Sequence, residues 1–251
     1  MMRLYFLHCG MLDLETRVMI PEAPKGPRMR IPVPAFLVQV DGQYMLVDTG
    51  MPDFCVNNPR ALAEEGEGDP PEMVPVMNER ETIVGQLALL GLKPTDLRAV
   101  VITHAHIDHC GGNRHFTSCP IVIHERELEA ARAAGNEKPY FEGPGVQFQP
   151  VSGDYELAPG LQLLETPGHM PGHYSLLVRL PRTGPLLLTV DAVYTEALWN
   201  SNRLGANRNE QEARKSMDRL RQLAQETGAR VIFGHDPKQW ASLRHAPEYY
   251  E

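Results

Sequence analysis

The chain has 251 residues, enough for one large core or two small ones, since some α/β and β-sandwich domains reach roughly 250 residues. Its net charge of −8 leaves no basic surplus to neutralise phosphates, which argues against a nucleic-acid partner. No run of about 18 apolar residues occurs in the sequence, so we expect no membrane-spanning segment and no membrane partner.

The N-terminus does not have the pattern of a secretory leader. Residues 1–15 hold a short apolar run that His8 interrupts, and no small-residue cleavage site follows. The cysteines form no C-x-x-C pair and suggest no disulfide framework; they are Cys9, Cys55, Cys110 and Cys119. We therefore expect reduced thiols and a cytoplasmic location.

The first predicted element is a β-hairpin. Apolar residues dominate 33–40 and 43–50, and the Asp41-Gly42 pair between them suits a tight primed turn. The next segment, 51–77, is rich in proline and acidic residues, which predicts an irregular loop.

A helix is predicted to begin at Asn78, with Glu81 completing a capping box, and to end near Gly91. Its apolar face holds Ile83, Leu87 and Leu90. Further strands are predicted at 97–103, 119–124, 161–166, 173–180, 185–191 and 230–236. Further helices are predicted at 125–134 and between Asn209 and Gly228.

Strands dominate this pattern, with helices interspersed in both halves of the chain. That arrangement favours packed sheets with helices outside them over a regular βαβ repeat. No break in composition divides the sequence. We therefore expect a single domain, residues 1–251.

The segment THAHIDHCGGN at 103–113 crowds metal-binding side chains into a few positions. In an extended backbone alternate side chains point the same way, so His104 and His106 can face one cation. Asp108 and His109 follow a turn and can reach a second cation. Imidazole and carboxylate together suit zinc and other divalent first-row metals.

These residues do not complete two metal sites. Three further segments place a ligand type where an apolar strand gives way to a turn: TPGHMPGH at 166–173, TVDA at 189–192 and FGHD at 233–236. Strand ends and their loops commonly carry chemistry, so we expect these segments to supply the remaining ligands.

The H-x-H-x-D-H motif at 104–109, followed by His169, Asp191 and His235, resembles the metallo-beta-lactamase superfamily. The resemblance is closest to its N-acyl-homoserine lactonase branch and covers nearly the whole chain. It is carried also by LVDTGMP at 46–52, VNN at 56–58, GDYEL at 153–157 and LTVDAVYT at 188–195.

This resemblance implies an α/β fold of the αβ/βα type, a four-layer sandwich with a two-metal site at one edge. One cation would be held by His104, His106 and His169. The other would be held by Asp108, His109 and His235, with Asp191 bridging both. The implied cofactors are two divalent ions, with zinc expected first and cobalt, manganese or iron as alternatives.

The resemblance also implies a reaction, the hydrolytic opening of the lactone ring of N-acyl-homoserine lactones, which are quorum-sensing signals. A hydroxide shared by the two cations would attack the lactone carbonyl. Tyr194 would support the oxyanion, and Asp108 would protonate the leaving ring oxygen as general acid.

Other polar residues have supporting or purely structural interpretations. Asp48 is expected to orient a ligand histidine, because metal-bound imidazoles usually need such a partner. His173 is expected to pack or to hydrogen bond, and Cys110 to be a small buried thiol. The remaining histidines lack partner spacing and are expected to be structural or exposed: His8, His115, His124 and His245.

An acyl tail would need an apolar groove, for which Met19, Ile20, Phe54 and the segment 194–199 are candidates. In the related lactonases the loop after VNN carries aromatic residues. In this chain that loop, 59–73, is acidic and has none. The departure leaves the preferred tail length open.

The main alternative function is a glyoxalase II-like thioesterase, or another small-ester or lactone hydrolase on the same scaffold. The thioesterase would use the same seven ligands, but it carries a helical segment past the last ligand, where this chain has sixteen residues after His235. A flavodiiron-like redox protein would be expected to have Glu where this chain has His106. The oligomeric state is open between monomer and homodimer.

Overall fold

The structure is a computed structural model that describes residues 1–63, 68, 71–134 and 141–251. Its strands are β1 (Met2–Glu15), β2 (Arg28–Val40), β3 (Gln43–Val47), β4 (Met73–Val76), β5 (Leu97–Ile102), β6 (Ile121–His124), β7 (Phe148–Val151), β8 (Tyr155–Ala158), β9 (Leu161–Glu165), β10 (Tyr174–Leu180), β11 (Gly184–Leu188) and β12 (Arg230–Ile232). Its α-helices are α1 (Thr16–Met19), α2 (Ile83–Leu89), α3 (Ile107–Cys110), α4 (Glu125–Ala133), α5 (Glu196–Ser201), α6 (Glu210–Thr227) and α7 (Pro237–Ser242).

The strands form two sheets, one of seven strands in the order β4-β1-β2-β3-β5-β6-β7 and one of five in the order β12-β11-β10-β9-β8. In the larger sheet, β3, β5, β6 and β7 run parallel, and the pairs on the β1 side are antiparallel. In the smaller sheet only β11 and β12 are parallel.

A shared apolar core lies between the sheets. Phe6 and Phe36 of the larger sheet meet edge to face there, with their ring centroids 5.5 Å apart. Tyr174 of the smaller sheet belongs to the same cluster and is fully buried. Strand β5 is a continuous apolar run because both of its faces are buried. Val101 faces this core, and Val100 faces the helices on the other side.

Helices cover the outer faces of both sheets. Ile83 of α2 and Leu128 of α4 pack in the cluster on the outer face of the larger sheet. Leu220 of α6 packs with Leu177 and Leu187 on the outer face of the smaller one. The result is the four-layer αβ/βα sandwich that the sequence motifs predicted.

Several predicted elements are confirmed with shifted ends. The hairpin turns at Asp41 (φ 48°) and Gly42 (φ 82°), as a primed turn requires. Helix α6 is capped by the Asn209 side chain and ends at Gly228, which takes a left-handed conformation. Strand β3 ends at Val47 rather than at residue 50, because Asp48 is already in the left-handed region (φ 61°).

The helix predicted from Asn78 is interrupted. The capping box of Asn78 and Glu81 is present, but it closes a short 3₁₀ turn. Thr82 is extended (φ −66°, ψ 154°) and its side chain accepts from the backbone N–H of Gly85, so α2 begins only at Ile83.

The longest strand, β1, was missed from sequence, where residues 1–15 were judged only as a possible leader. It pairs with β2 on one side and with β4 on the other. The prediction of an irregular loop over 51–77 was wrong for Met73–Val76, which is a strand. Parts of that loop, 64–67 and 69–70, lie outside the described residues.

The four cysteines are buried and unpaired, as predicted. Among the described residues, no helix has both the length and the apolar character needed to cross a bilayer.

Candidate metal centre

The predicted ligands come together at the edge where strands of both sheets end. Helix α3 and the turn before it follow β5 and carry the H-x-H-x-D-H motif. His169 follows β9, Asp191 follows β11 and His235 follows β12. Two neighbouring clusters result, whose ligand atoms each lie within 4.8 Å of one another.

We call His104, His106 and His169 the first ligand group. The Nε2 atom of His104 lies 3.1 Å from Nδ1 of His106 and 3.3 Å from Nε2 of His169, and the last two nitrogens are 2.9 Å apart. Zinc bound tetrahedrally about 2.0–2.1 Å from each nitrogen requires neighbouring ligands roughly 3.3 Å apart. The three nitrogens are therefore spaced as ligands of a single cation.

We call Asp108, His109 and His235 the second ligand group. The Oδ2 atom of Asp108 lies 3.5 Å from Nε2 of His109 and 3.7 Å from Nε2 of His235. All three residues are buried, and Asp108, with 12% of its side-chain surface exposed, is the most accessible of them.

Asp191 lies between the groups. Its Oδ2 is 3.6 Å from His104 Nε2 and 3.4 Å from His169 Nε2. Its Oδ1 is 3.4 Å from His109 Nε2 and 3.1 Å from His235 Nε2. One oxygen thus faces each group, which is the geometry of a carboxylate that bridges two cations.

The backbone that carries Asp191 is strained. Val190, a β-branched residue, has a φ of 48°, in a region that such residues rarely adopt. Val190 is buried, and a Cβ on Gly234 would lie only 2.5 Å from its carbonyl oxygen, so tight packing holds the turn. The Asp191 backbone N–H also donates to His173 Nε2 at 3.1 Å.

Hydrogen bonds to the outer nitrogens set the tautomers of the ligand histidines. The Nδ1–H of His109 donates to Asp48 Oδ2, and that of His235 donates to the Pro32 carbonyl, both at 2.8 Å. The Nδ1 of His169 lies 3.1 Å from the Ala206 carbonyl oxygen, to which it donates. Each Nε2 lone pair is therefore left to point into the centre.

Two atoms of the centre are buried polar atoms without a hydrogen-bond partner: His109 Nε2 and Asp191 Oδ1. An orphaned buried acceptor costs about 1–3 kcal/mol unless something satisfies it. Divalent cations would satisfy both, and a mixed set of imidazoles and carboxylates is chemically suited to them. The residues therefore fit two cations.

The two ligand groups differ electrostatically. Burial lowers the pKa of His169 to about 4, helped by the neighbouring His106, and burial lowers the pKa of His104 as well. These imidazoles are neutral at neutral pH, as metal ligands must be. Burial also acts to lower the pKa of His109, but the carboxylates of Asp108 and Asp191 outweigh it and raise that pKa well above its usual value. The second group thus attracts positive charge.

The ligand arrangement matches a known family. Residues 28–235 match the model of the metallo-beta-lactamase superfamily. The chain belongs to the metallo-beta-lactamase superfamily.

Within this superfamily the chain is similar to N-acyl homoserine lactonases over nearly its whole length. It is 36% identical to the enzyme of Bacillus cereus over 98% of both chains. It is also 36% identical to the lactonase AttM of Azorhizobium caulinodans, over 99% of this chain and 98% of that one. These similarities confirm the N-acyl homoserine lactonase branch that the sequence motifs indicated.

A solved structure supports the same relationship. It is an N-acyl homoserine lactone hydrolase with the product N-hexanoyl-L-homoserine bound at its catalytic metal centre. That chain is 35% identical to this one, with a TM-score of 0.92 over 99% of this chain and 98% of that chain.

In this superfamily member the supporting residues lie where the sequence predicted them. Asp48 is fully buried and accepts from Thr103 N and Thr103 Oγ1, both at 2.8 Å, besides orienting His109. His173 hydrogen bonds to Thr166 and to the Asp191 backbone and is not a member of either group. Burial raises the pKa of the Cys110 thiol well above its usual value, so the thiol is inert.

The other histidines lie away from the centre. His124 caps α4, His115 contacts Asp53 at 2.8 Å, and His8 accepts from the Trp240 indole N–H at 3.1 Å. The ring of His245 packs against Trp240. These contacts confirm structural roles.

A pocket of about 260 Å³ opens onto both ligand groups. Its polar end is formed by His106, Asp108, His169, Asp191, Tyr194 and His235, and its walls by Leu12, Leu14, Val18, Met19, Ile31, Met73, Ile107 and Ala206. Among the tail-binding candidates, Met19 and Tyr194 line the pocket, whereas Ile20 and Phe54 do not appear among its described lining residues. Half of the apolar wall residues lie on β1, β2 and β4, strands that the sequence did not connect with the site.

We predict that the purified protein binds two divalent cations per chain. Mass spectrometry under native conditions and elemental analysis will measure the stoichiometry after loading with Zn²⁺ or Co²⁺. Asp191→Ala should abolish tight binding of the pair, because it removes the carboxylate that faces both groups. A wild-type chain that saturates with one cation would contradict the two-group interpretation.

Proposed function

We propose that this protein is a metal-dependent hydrolase that opens the lactone ring of N-acyl homoserine lactones, thereby degrading a quorum-sensing signal. The observation that carries the proposal is the convergence of seven ligands on one edge, with Asp191 facing both groups at the floor of an apolar pocket. Full-length similarity to N-acyl homoserine lactonases supports the choice of substrate.

The pocket has the polarity that such a substrate needs. A lactone ring is polar and compact and can reach the ligand groups, and an acyl tail can lie along the apolar walls. The volume of about 260 Å³ approaches the lower end of small-molecule pockets, roughly 300 Å³. Ile107, next to the ligand Asp108, is positioned where tail and ring would meet.

The residues of the centre divide the chemistry between them. Two divalent cations held by the ligand groups would supply an activated water molecule and electrophilic stabilisation of the carbonyl oxygen. Zinc is the proposed metal because it is well suited to a mixed set of imidazoles and carboxylates. Asp191 would fix the separation of the two ligand groups, because one of its oxygens faces each group. The hydrogen bonds to the outer histidine nitrogens keep the ligand nitrogens pointed into the centre.

Asp108 is proposed as the general acid. Opening the ring breaks the bond between the carbonyl carbon and the ring oxygen, and that oxygen leaves as an alkoxide that needs a proton. Asp108 borders the pocket and is the least buried carboxylate of the centre. A proton on its free oxygen can therefore be delivered to the leaving oxygen, producing an acyl homoserine with a free hydroxyl.

Tyr194 is proposed to act on the carbonyl side of the substrate. Its ring lines the pocket, and its hydroxyl donates to the Ala206 carbonyl at 2.9 Å and lies 2.9 Å from Nδ1 of His169. To stabilise an oxyanion the hydroxyl must turn from Ala206 toward the substrate, and its proximity to His169 keeps it beside the first ligand group.

The proposed partner is a small-molecule lactone and no nucleic acid, in keeping with the acidic net charge of −8. Cytoplasmic location stays a prediction, and the four unpaired buried cysteines support it. Monomer and homodimer remain the two alternatives for the oligomeric state.

We predict that the protein loaded with two cations hydrolyses N-acyl homoserine lactones faster than simple γ-lactones. Each tail methylene that becomes buried should raise kcat/KM up to about fourfold, because burial of one CH₂ contributes about 0.8 kcal/mol. A pH-indicator assay with several tail lengths will measure the rates, and a glutathione thioester serves as the competing substrate. Rapid thioester cleavage with inert lactones would show that the protein is a thioesterase instead.

Asp108→Asn tests the general acid. Asparagine keeps a carbonyl oxygen for the cation but holds no proton to donate, so kcat should fall by about 100- to 10,000-fold at full metal occupancy. Metal content is measured for each preparation, and the exposed Asp218→Asn is the matched control. Unchanged turnover at full occupancy would remove Asp108 from proton transfer.

Tyr194→Phe tests the hydroxyl. If it supports the oxyanion, kcat should fall by about 10- to 1,000-fold, with little change in metal content. The matched control is Tyr174→Phe, which removes another tyrosine hydroxyl bonded to a backbone carbonyl, that of Gly153, away from the pocket. Equal, small effects of both substitutions would reduce Tyr194 to a packing role.

A further inference from the structure

A second buried carboxylate lies behind the centre. Glu127, on α4, has no exposed surface. Its Oε1 accepts from the backbone N–H of Ala105 at 2.8 Å, and its Oε2 accepts from the backbone N–H of Gly172 at 3.0 Å. The sequence did not single out this residue.

The two donors belong to the two segments that carry the first ligand group. Ala105 lies between His104 and His106. The hydrogen bond from its backbone N–H therefore holds the extended backbone from which both imidazoles point the same way. Gly172 lies three residues after His169 in the turn between β9 and β10. One carboxylate therefore ties together two loops that are far apart in sequence.

The packing around Gly172 shows how close this contact is. A Cβ added at Gly172 would lie 2.5 Å from the backbone nitrogen of Glu127 and 2.6 Å from its Cβ. Only glycine lets the loop approach α4 closely enough for its N–H to reach the carboxylate.

The second ligand group is supported by a different carboxylate. Asp48 accepts from His109 Nδ1 and from the backbone of Thr103. Among the described residues, the Glu127 carboxylate accepts hydrogen bonds from Ala105 and Gly172, both in the loops of the first group. Asp48 is thus a direct partner of a second-group ligand and also holds Thr103 before His104, whereas Glu127 reaches the first group only, so Glu127 offers the selective way to weaken the first group.

We propose that Glu127 is a positioning residue that sets the affinity of the first ligand group for its cation, by holding the His104–His106 turn and the His169 loop against α4. The inference rests on the metal-binding part of the proposed function and not on the identity of the substrate. Glu127 touches neither the cation nor the substrate, and it acts through Ala105 and Gly172.

Glu127→Gln tests this assignment. Glutamine keeps one oxygen acceptor but turns an amide NH₂ toward the other backbone N–H, so one of the two loops loses its anchor. We expect the affinity for one of two cations to fall by about 10- to 100-fold, as is usual when a partner of the metal ligands is changed. Stepwise dissociation constants for Zn²⁺, measured by competition with a chromogenic chelator, give the result without a turnover assay.

Two further variants show which cation is affected. Glu129→Gln makes the same change at an exposed position of α4 and should leave both dissociation constants unchanged. His106→Ala removes a ligand of the first group, and in that background Glu127→Gln should have no further effect on the remaining cation. Asp48→Asn should instead weaken the cation of the second group.

A purely structural role for Glu127 has a different signature. It would lower the unfolding midpoint of the metal-free protein and weaken both cations alike, and that result, or two unchanged constants, would overturn the proposal. If Glu127→Gln is not recovered folded, Glu127→Asp decides, since it keeps the charge but shortens the side chain by one methylene, so that the carboxylate cannot reach both backbone N–H groups, and it should show the same selective loss. Wild-type protein that binds no pair of cations would contradict the proposed function itself.

Discussion

The central constraint on this molecule is the convergence of imidazole nitrogens and carboxylate oxygens from distant segments in a largely buried space. Three nitrogens of the first ligand group lie within 3.3 Å of one another, and Asp191 presents one oxygen to each group. Such an arrangement is unfavourable without compensating charge, because buried acceptors repel one another and lose their hydration. The fold has to hold it together, and the strained φ of Val190 is one local cost of doing so.

The four-layer sandwich meets this requirement by ending strands of both sheets at one edge. Strand β5 brings the H-x-H-x-D-H motif from the larger sheet, and β9, β11 and β12 bring His169, Asp191 and His235 from the smaller one. Buried acceptors behind the ligands then fix each tautomer. Asp48 acts on the second group, the Pro32 and Ala206 carbonyls act on single histidines, and Glu127 holds the loops of the first. The site is therefore built from short segments that directly follow strand ends and are held by buried hydrogen bonds.

In the proposed function, recognition of the acyl tail would come from a different part of the structure than the chemistry. Half of the apolar wall residues lie on β1, β2 and β4, towards one edge of the seven-stranded sheet, and the others lie on α1 and at Ile107 and Ala206. Changes on that wall can alter which tail is accepted and leave the ligands in place. This separation would let one scaffold serve several hydrolases, since the ligand groups would hold the cations that activate water, and the wall would select what is attached to the carbonyl.

The first four ligands, the hairpin and the caps of α6 could be predicted from sequence because each depends on residues close together in the chain. The H-x-H-x-D-H spacing, the Asp41-Gly42 turn and the Asn209 cap are local signals, and the family motifs supplied the order of the distant ligands. The extent of β1 and the apolar wall depended on partners far along the chain, as did the role of Glu127. No local sequence pattern identifies a buried glutamate on a helix. Only the tertiary structure, which brings the N–H groups of Ala105 and Gly172 to one carboxylate, shows what it does, because hydrogen bonds between distant segments exist only after the sheets have packed.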